Sequence, residues 1–308
     1  MTSAARKAIE LTALGVVPLA ALALGLATFA GQDRLALDFH HELFPQAQAV
    51  VHGRDAYPPP DADLSDGTNA IWPMAAVLPV VPLTALPAEA ADWVVALLVI
   101  ATLVAALWVF EVRDWRVYGI TLLWAPVIDA YQTGNATLPL VLLLALTWRY
   151  RSRTAPAGVA LGVALAVKFF LWPVVLWLAV VRRIAAALVA VALAAASLLL
   201  LLPFTSIEDY LRLLRNLSNT FDALSYTTYA LLVVPLALSR PRFDAVWLVP
   251  LAFWFVPGTY NGAPWQTALA LAAGAATVAL AERETAPGAV GMPHPTPITR
   301  IGRRSSPV

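Results

Sequence analysis

A single aspartate follows the first long hydrophobic segment of the sequence. Asp38 lies in the stretch LALDFHH at 35–41, a few residues beyond the apolar segment 12–30. A carboxylate just outside a membrane helix is suited to general-base work, in which it accepts a proton from a hydroxyl group. The alternative is an ordinary hydrated loop aspartate, which position alone favours.

Lys168 is the charged residue that fits its surroundings least. It is one of only two lysines and lies in the apolar stretch VALAVKFFLWP at 163–173. A cation there costs several kcal/mol unless it is paired or hydrated. Phosphate is a natural partner for an ammonium group. The sequence leaves two interpretations open: a phosphate-binding lysine, or a lysine at a helix end that extends to the membrane surface.

A short polar break, Gln132-Thr133-Gly134-Asn135, separates two hydrophobic segments. Gly-Asn is typical of turns, and a turn is the interpretation that the spacing favours. Gln132 and Asn135 could also hydrogen-bond a sugar. Asp129, just before the break, could pair with Lys168 or with an arginine.

His40, His41 and Glu42 are close enough in sequence to suggest a metal site. Adjacent histidines diverge on a helix and rarely bind one ion together, so a solvated loop is favoured. Residues 39–53 are also typical of an interfacial helix, because apolar positions can share one face. These positions are Phe39, Leu43, Ala47, Val50 and Val51.

Arg212 and Arg215 lie three residues apart in the polar stretch 203–224. On a helix they could share a face against phosphate or lipid headgroups. A solvated amphipathic helix is the favoured alternative. Walker A, Rossmann and HExxH patterns are absent from the sequence.

The composition is that of a membrane protein. Of 308 residues, 60% are hydrophobic and 13% are charged, with a mean hydropathy of +0.73. A soluble domain would be nearer half apolar and a quarter charged. Cysteine is absent, which excludes disulfides and thiolate chemistry, and a net charge of +1 gives no electrostatic case for nucleic acid.

About nine to eleven hydrophobic segments predict an all-α, polytopic transmembrane helical bundle. We expect one membrane domain at 1–284 and a disordered, basic cytoplasmic tail at 285–308. The expected segments fall near 12–30, 71–87, 92–110, 117–133, 136–150, 156–181, 184–202, 225–239, 243–257 and 263–281.

The basic residues predict the orientation, because arginine and lysine collect in cytoplasmic loops. The loop 31–70, which holds seven of the 19 acids and three of the four histidines, then lies outside the cytoplasm. The segment 156–181 must go out and return, with its turn near Lys168. Either 71–87 or 117–133, both proline-containing, must fail to span. Asp38, Asn135 and 203–224 then converge on one non-cytoplasmic face.

The order of these motifs resembles the bacterial family 87 glycosyltransferases, polytopic enzymes of the GT-C type. After Asp38 comes HGRDAYP at 52–58, which is similar to the family's Gly-x-x-x-Tyr-Pro-like segment and contains Tyr57. A proline-rich hydrophobic hairpin at 72–110 and the QTGN break follow. The stretch from Ala157 through Lys168 and Pro173 to Arg183 resembles the family's glycine-rich helix, lysine, proline and basic loop. The resemblance covers residues 12–185.

The resemblance implies that a hexose, with mannose favoured, is transferred from a polyprenyl-phosphate sugar to a lipid or cell-envelope glycan. The stereochemical course is either inverting or retaining. Asp38 would be the catalytic base and Lys168 a ligand of the donor phosphate. Further substrate-binding candidates are Gln132, Asn135, His40, His41, Tyr57, Arg212 and Arg215. Many GT-C enzymes use a divalent metal, but the sequence offers no strong ligand set.

The implied setting is a multi-pass protein of the bacterial plasma membrane, with its active site on the extracytoplasmic face and membrane lipids around it. The main alternative is a non-enzymatic transporter or flippase of lipid-linked sugars, with Lys168 and Asp129 along the path. The absence of an internal repeat counts against transport. A degenerate member that only binds lipid or protein is a third hypothesis.

Overall fold

The computed structural model describes residues 2–64, 71–123, 125–135, 137–180 and 182–220. This part of the chain is helical and contains no strand, which confirms the predicted all-α class. The helices are α1 (Ser3–Gly31), α2 (Phe44–Val51), α3 (Met74–Ala85), α4 (Ala88–Val109), α5 (Trp115–Leu122), α6 (Ala125–Thr133), α7 (Thr137–Arg149), α8 (Thr154–Val167), α9 (Pro173–Val180), α10 (Ile184–Leu201) and α11 (Ile207–Thr220).

Within the described ranges, α1, α4 and α10 are long and apolar enough to cross a membrane. Their outward surfaces carry exposed leucines and valines, such as Leu24, Leu97 and Leu188. Exposed apolar surface of this extent is unfavourable in water and is expected against lipid. Together with the composition, it identifies a helical membrane protein.

Several predicted segments are shorter or more broken than expected. The segment 71–87 forms α3, whose second half, Leu78–Ala85, is a 3₁₀-helix containing Pro79 and Pro82, because proline lacks the N–H of a regular α-helical ladder. The segment 117–133 is divided between α5 and α6. Both proline-containing segments therefore lack one long helix, although only one was expected to fail to span.

The predicted break near Lys168 is confirmed. Helix α8 ends at Val167, and Lys168 itself has extended backbone angles, with φ −153° and ψ 112°. One 3₁₀ turn, Phe169–Leu171, leads to α9, which begins at Pro173. Proline is favoured in a first helical turn, where no N–H is needed. The charged side chain therefore lies where the backbone is free of a regular helix.

Other predictions lie outside the described residues. These are the hydrophobic segments 225–239, 243–257 and 263–281 and the basic tail at 285–308. The total number of membrane crossings and the domain boundary at 284 remain predictions.

Helices α8 and α10 pack closely through small residues. A Cβ atom added to Gly158 would lie 2.7 Å from Cβ of Val189 and 2.8 Å from the carbonyl oxygen of Ala186. A Cβ atom added to Gly162 would likewise lie 2.8 Å from Cβ of Leu193. Small residues allow two membrane helices to approach closely, so that dispersion contacts hold them together.

We therefore expect Gly158→Ala to destabilise the protein by about 1–3 kcal/mol, because the added methyl group overpacks this contact. Thermal unfolding of detergent-solubilised protein measures the change. Gly31→Ala is the matched control, since a Cβ at Gly31 meets no atom within 4 Å. Equal melting temperatures for the two variants would show that the α8–α10 contact is not tight.

Candidate functional site

The site begins with a close approach between the turn after α6 and the segment before α2. Gly134 follows the last residue of α6 and has φ +65°, and its N–H donates to the carbonyl of Ala130 at 3.0 Å. Glycine favours this left-handed conformation because it has no Cβ. A Cβ there would lie 2.7 Å from Cβ of Ala36. The approach brings Asn135 next to Asp38.

Asp38, Asn135 and Lys168 form a chain of hydrogen bonds. The Asn135 amide nitrogen donates to Oδ2 of Asp38 at 2.8 Å, and Lys168 Nζ donates to Oδ1 of Asn135 at 3.0 Å. Asn135 is buried, whereas Asp38 and Lys168 are half-buried. One amide thus links a carboxylate to an ammonium group. Asn135 lies 97 positions after Asp38 and 33 positions before Lys168 in the sequence. The structure brings together three residues that the sequence analysis singled out separately.

Trp72 lies beside this chain and was missed by the sequence analysis. Lys168 Nζ lies 4.9 Å from the centre of its ring, a cation–π distance. The Trp72 indole N–H donates to Oε2 of Glu42 at 2.8 Å. The side chain of Gln46 accepts from the Trp72 backbone N–H at 3.2 Å and donates to the Trp72 carbonyl at 3.1 Å. The hydroxyl of Tyr57 donates to the same carbonyl at 3.0 Å.

A sequence signal for this arrangement exists. Asp38, Glu42 and Gln46 are spaced four residues apart in a stretch predicted to be helical, so they share one face. The structure forms a wide turn at Phe39–Leu43 that leads into α2, which confirms helix in the stretch 39–53. Of the five apolar positions predicted to share one face, Phe39, Leu43 and Ala47 are buried, Val50 is half-buried and Val51 is 51% exposed.

Glu42 is an unusual acid in this cluster. Burial raises its pKa from the ordinary 4.5 to about 7. The hydrogen bond from Trp72 opposes that rise, the negative charge of Asp38 adds to it, and the charge of Lys168 lowers the pKa. Glu42 therefore changes its charge close to neutral pH.

Behind Trp72, Tyr57 contacts Tyr210 of α11, with ring centres 5.2 Å apart. Burial raises the pKa of both phenols, so both stay neutral. Asn216 of α11 donates to the carbonyls of Pro60 and Ala62. The stretch 203–220 therefore lies against the first loop, which also brings Asp38 to Asn135, so these polar features converge as predicted. The non-cytoplasmic side of this face stays a prediction.

His40 points to a different partner. Its Nδ1 lies 2.8 Å from Oδ2 of Asp92, near the start of α4. The His40 and His41 rings contact edge to face with centres 5.0 Å apart, and His41 is exposed. In the part of the chain that the structure describes, no group of three histidines or acids could hold a metal ion.

The remaining candidates are less central. Arg212 and Arg215 are exposed on α11, and Arg212 donates to Glu208 one turn away at 2.6 Å. Gln132 is half-buried near the end of α6. The expected pairing of Asp129 with Lys168 is wrong: Lys168 bonds Asn135, and Oδ2 of Asp129 is buried without a hydrogen-bond partner among the described residues.

The fold and the site define a helical membrane protein with a carboxylate, an amide and an ammonium group at one point where helices break. Comparison with known families places it further. The sequence model of glycosyltransferase family 87 matches residues 71–292, well over half of the chain. The chain therefore belongs to glycosyltransferase family 87 and is a glycosyltransferase. No curated protein and no solved structure matches it.

The matched range divides the site. Trp72, Asn135 and Lys168 lie within it, as do Gln132, Arg212 and Arg215. Asp38, Glu42 and Tyr57 precede it. The match also includes the last third of the chain, beyond the stretch 12–185 on which the resemblance was based. The roles of individual residues therefore depend on the geometry described above.

Gln46 offers a test of how far the site depends on Trp72. It is 2% exposed and pairs both backbone groups of Trp72. We expect Gln46→Leu to destabilise the protein by about 1–3 kcal/mol, because the Trp72 N–H loses its partner and the Trp72 carbonyl keeps only the bond from Tyr57. Thermal unfolding with Gln48→Leu, a half-buried residue on the same helix, provides the comparison. Unchanged stability of Gln46→Leu would argue against a fixed Trp72 backbone.

Proposed function

We propose that this glycosyltransferase moves a hexose, with mannose favoured, from a polyprenyl-phosphate sugar to the hydroxyl of a lipid or cell-envelope glycan. The observation that carries the proposal is the Asp38–Asn135–Lys168 chain. The close approach of this carboxylate and this ammonium group supports a base for the acceptor beside a cation for the donor phosphate. Such a donor needs no nucleotide-binding domain, because polyprenyl phosphate is itself the leaving group.

The proposed step forms one bond and breaks another at C1 of the donor sugar. The acceptor oxygen forms a bond to C1 of the sugar while the bond from C1 to the phosphate oxygen breaks. The electron pair of that broken bond leaves with the polyprenyl phosphate. The acceptor proton passes to the carboxylate of Asp38. Lys168 stabilises the negative charge that grows on the phosphate.

Asn135 would hold both groups ready for this step. Its amide nitrogen fixes one carboxylate oxygen of Asp38, and its amide oxygen fixes the ammonium group of Lys168. Because the two charges are linked through the amide, each can also act on its own part of the substrate. Preorganised charges of this kind need little rearrangement during the reaction.

The other candidate residues would contact more distant parts of the substrates. His40 and His41, close to Asp38 in sequence, and Gln132, close to Asn135, would bind sugar hydroxyls. Arg212 and Arg215, exposed on α11, would contact lipid headgroups or phosphate. Tyr57 would support the site through its bond to the carbonyl of Trp72.

We place the reaction at the extracytoplasmic face of a bacterial plasma membrane. The support comes from the arginine-rich loops, which predict the cytoplasmic side. The opposite end of the protein then carries Asp38 and α11. Membrane lipids would surround the apolar faces of α1, α4 and α10.

Replacement of the proposed base tests the function directly. We expect Asp38→Asn to reduce sugar transfer by about 10²- to 10⁴-fold, because an amide cannot accept the proton. The assay uses purified, detergent-solubilised protein with labelled polyprenyl-phosphate-mannose and a membrane lipid extract. Asp33→Asn is the matched control, since Asp33 is exposed in the same loop.

Retained transfer by Asp38→Asn would refute the assigned base. Absence of transfer by the wild-type protein from the mannose, glucose and arabinose donors would refute the proposed donor class. Labelling of a lipid fraction or of a glycan fraction would identify the acceptor class.

The two lysines provide a second matched pair. We expect Lys168→Met to lower kcat by about 10²- to 10³-fold, because charge on the leaving phosphate loses its stabilisation. Lys7→Met, in the exposed N-terminal turns of α1, should retain transfer. Donor-dependence curves for both variants give kcat and KM. Equal activity of the two variants would remove Lys168 from the phosphate site.

A further inference from the structure

The helical stretch after Asp38 brings a second carboxyl group, that of Glu42, to the site. Asp38, Glu42 and Gln46 follow one another at intervals of four residues. Asp38 accepts from Asn135, Glu42 accepts from the Trp72 indole, and Gln46 holds the Trp72 backbone. One face of this stretch therefore contacts both neighbours of Lys168, namely Asn135 and Trp72.

The position of the Lys168 ammonium group depends on these two neighbours. It donates to the Asn135 amide and lies over the Trp72 ring. The Trp72 backbone is fixed by Gln46 and Tyr57, which leaves the side-chain torsions to orient the ring. The indole N–H donates to Oε2 of Glu42 at 2.8 Å. Glu42 is thus the group that sets the angle of the ring beneath the ammonium.

We propose that Glu42 is a positioning residue, whose ionised carboxylate holds the Trp72 indole against Lys168 and so places the ammonium for the donor phosphate. The inference rests on the proposed function and adds a residue and a means of control to it. A hydrogen bond to a charged acceptor is roughly twice as strong as one between neutral groups. Protonation of Glu42 therefore weakens its hydrogen bond to the Trp72 indole, and the indole is held less firmly.

The charged groups around Glu42 determine when this happens. Asp38 lies one turn before it and Lys168 lies across the Trp72 ring. His40, on the same stretch, is bonded to Asp92 of α4, while His41 is exposed. Tyr57, which bonds the Trp72 carbonyl, contacts Tyr210, and burial raises the pKa of both phenols so that both stay neutral. With its pKa raised to about 7, Glu42 is protonated below neutral pH and ionised above it.

The first experiment is a pH profile of donor kcat/KM between about pH 5.5 and about pH 7.5. Wild-type activity should rise through about pH 7, as Glu42 ionises. Glu42→Gln keeps an oxygen that can accept from the indole but is neutral at every pH. We expect it to lose this rise and to show about tenfold lower kcat/KM at pH 7.5, mainly through a higher donor KM.

Two further variants identify the route of the effect. Trp72→Phe removes the indole N–H, so it should also lose the rise, and adding Glu42→Gln to it should have little further effect. Glu10→Gln is the matched control, because Glu10 pairs with Arg116 away from the site, and it should keep the wild-type profile. A Glu42→Gln profile that still rises through about pH 7, or a rise retained in Trp72→Phe, would overturn the proposal.

A spectroscopic measurement tests the same contact without sugar transfer. In protein labelled with 5-fluorotryptophan, the ¹⁹F resonance that is missing in Trp72→Phe belongs to Trp72. It should shift with pH around 7 in the wild-type protein and stay constant in Glu42→Gln. A constant wild-type resonance would overturn the inference. A shifting resonance in protein that transfers no sugar would uphold the contact and refute the proposed function alone.

Discussion

The arrangement of this site depends on one physical constraint, the placement of an ammonium group among apolar helices. Lys168 lies between α8 and α9, where neighbouring residues are valine, leucine and phenylalanine. A charge there is costly unless it has partners. Among the residues that the structure describes, its partners are an amide oxygen and an aromatic face rather than a directly bonded carboxylate. In a direct ion pair with Asp38, the two charges would neutralise each other. With Asn135 between them, the carboxylate and the ammonium could each act on a different substrate in the proposed reaction.

The backbone follows from the same constraint. Asn135 can reach Lys168 and Asp38 together only if the turn after α6 lies against the segment before α2. Gly134 permits this, because a side chain at that position would overlap Ala36. The break between α8 and α9 releases Lys168 from a regular helix. These are features of conformation rather than of hydrophobicity, and each places one end of the hydrogen-bonded chain.

These differences decide how much the sequence could predict. Long apolar runs predicted α4 and α10 to within a few residues at each end, because about 20 apolar residues are required by the membrane itself. The requirement that the basic residues lie in the cytoplasm predicted a turn near Lys168, where α8 ends. The contact between Asp38 and Asn135 depends on packing between residues 97 positions apart, and hydrophobic periodicity carries no information about it. Trp72 was missed because its backbone, which any residue possesses, makes three of its four hydrogen bonds to described residues. Lys168 was one of two partners suggested for Asp129, and it bonds Asn135 instead, because opposite charge alone carries no information about distance.

The division of the site along the chain has a consequence for the assignment of roles. The family match begins at residue 71 and contains the groups that hold Lys168. The proposed base and Glu42 come from the preceding segment, which reaches the same point through the spacing of four residues on one helical face. Membership of the family therefore supports transfer chemistry, whereas the identity of the base rests on the contact with Asn135. In the proposed reaction, Lys168 on the donor side and Asp38 on the acceptor side come from separate parts of the chain, and both are hydrogen-bonded to the amide of Asn135.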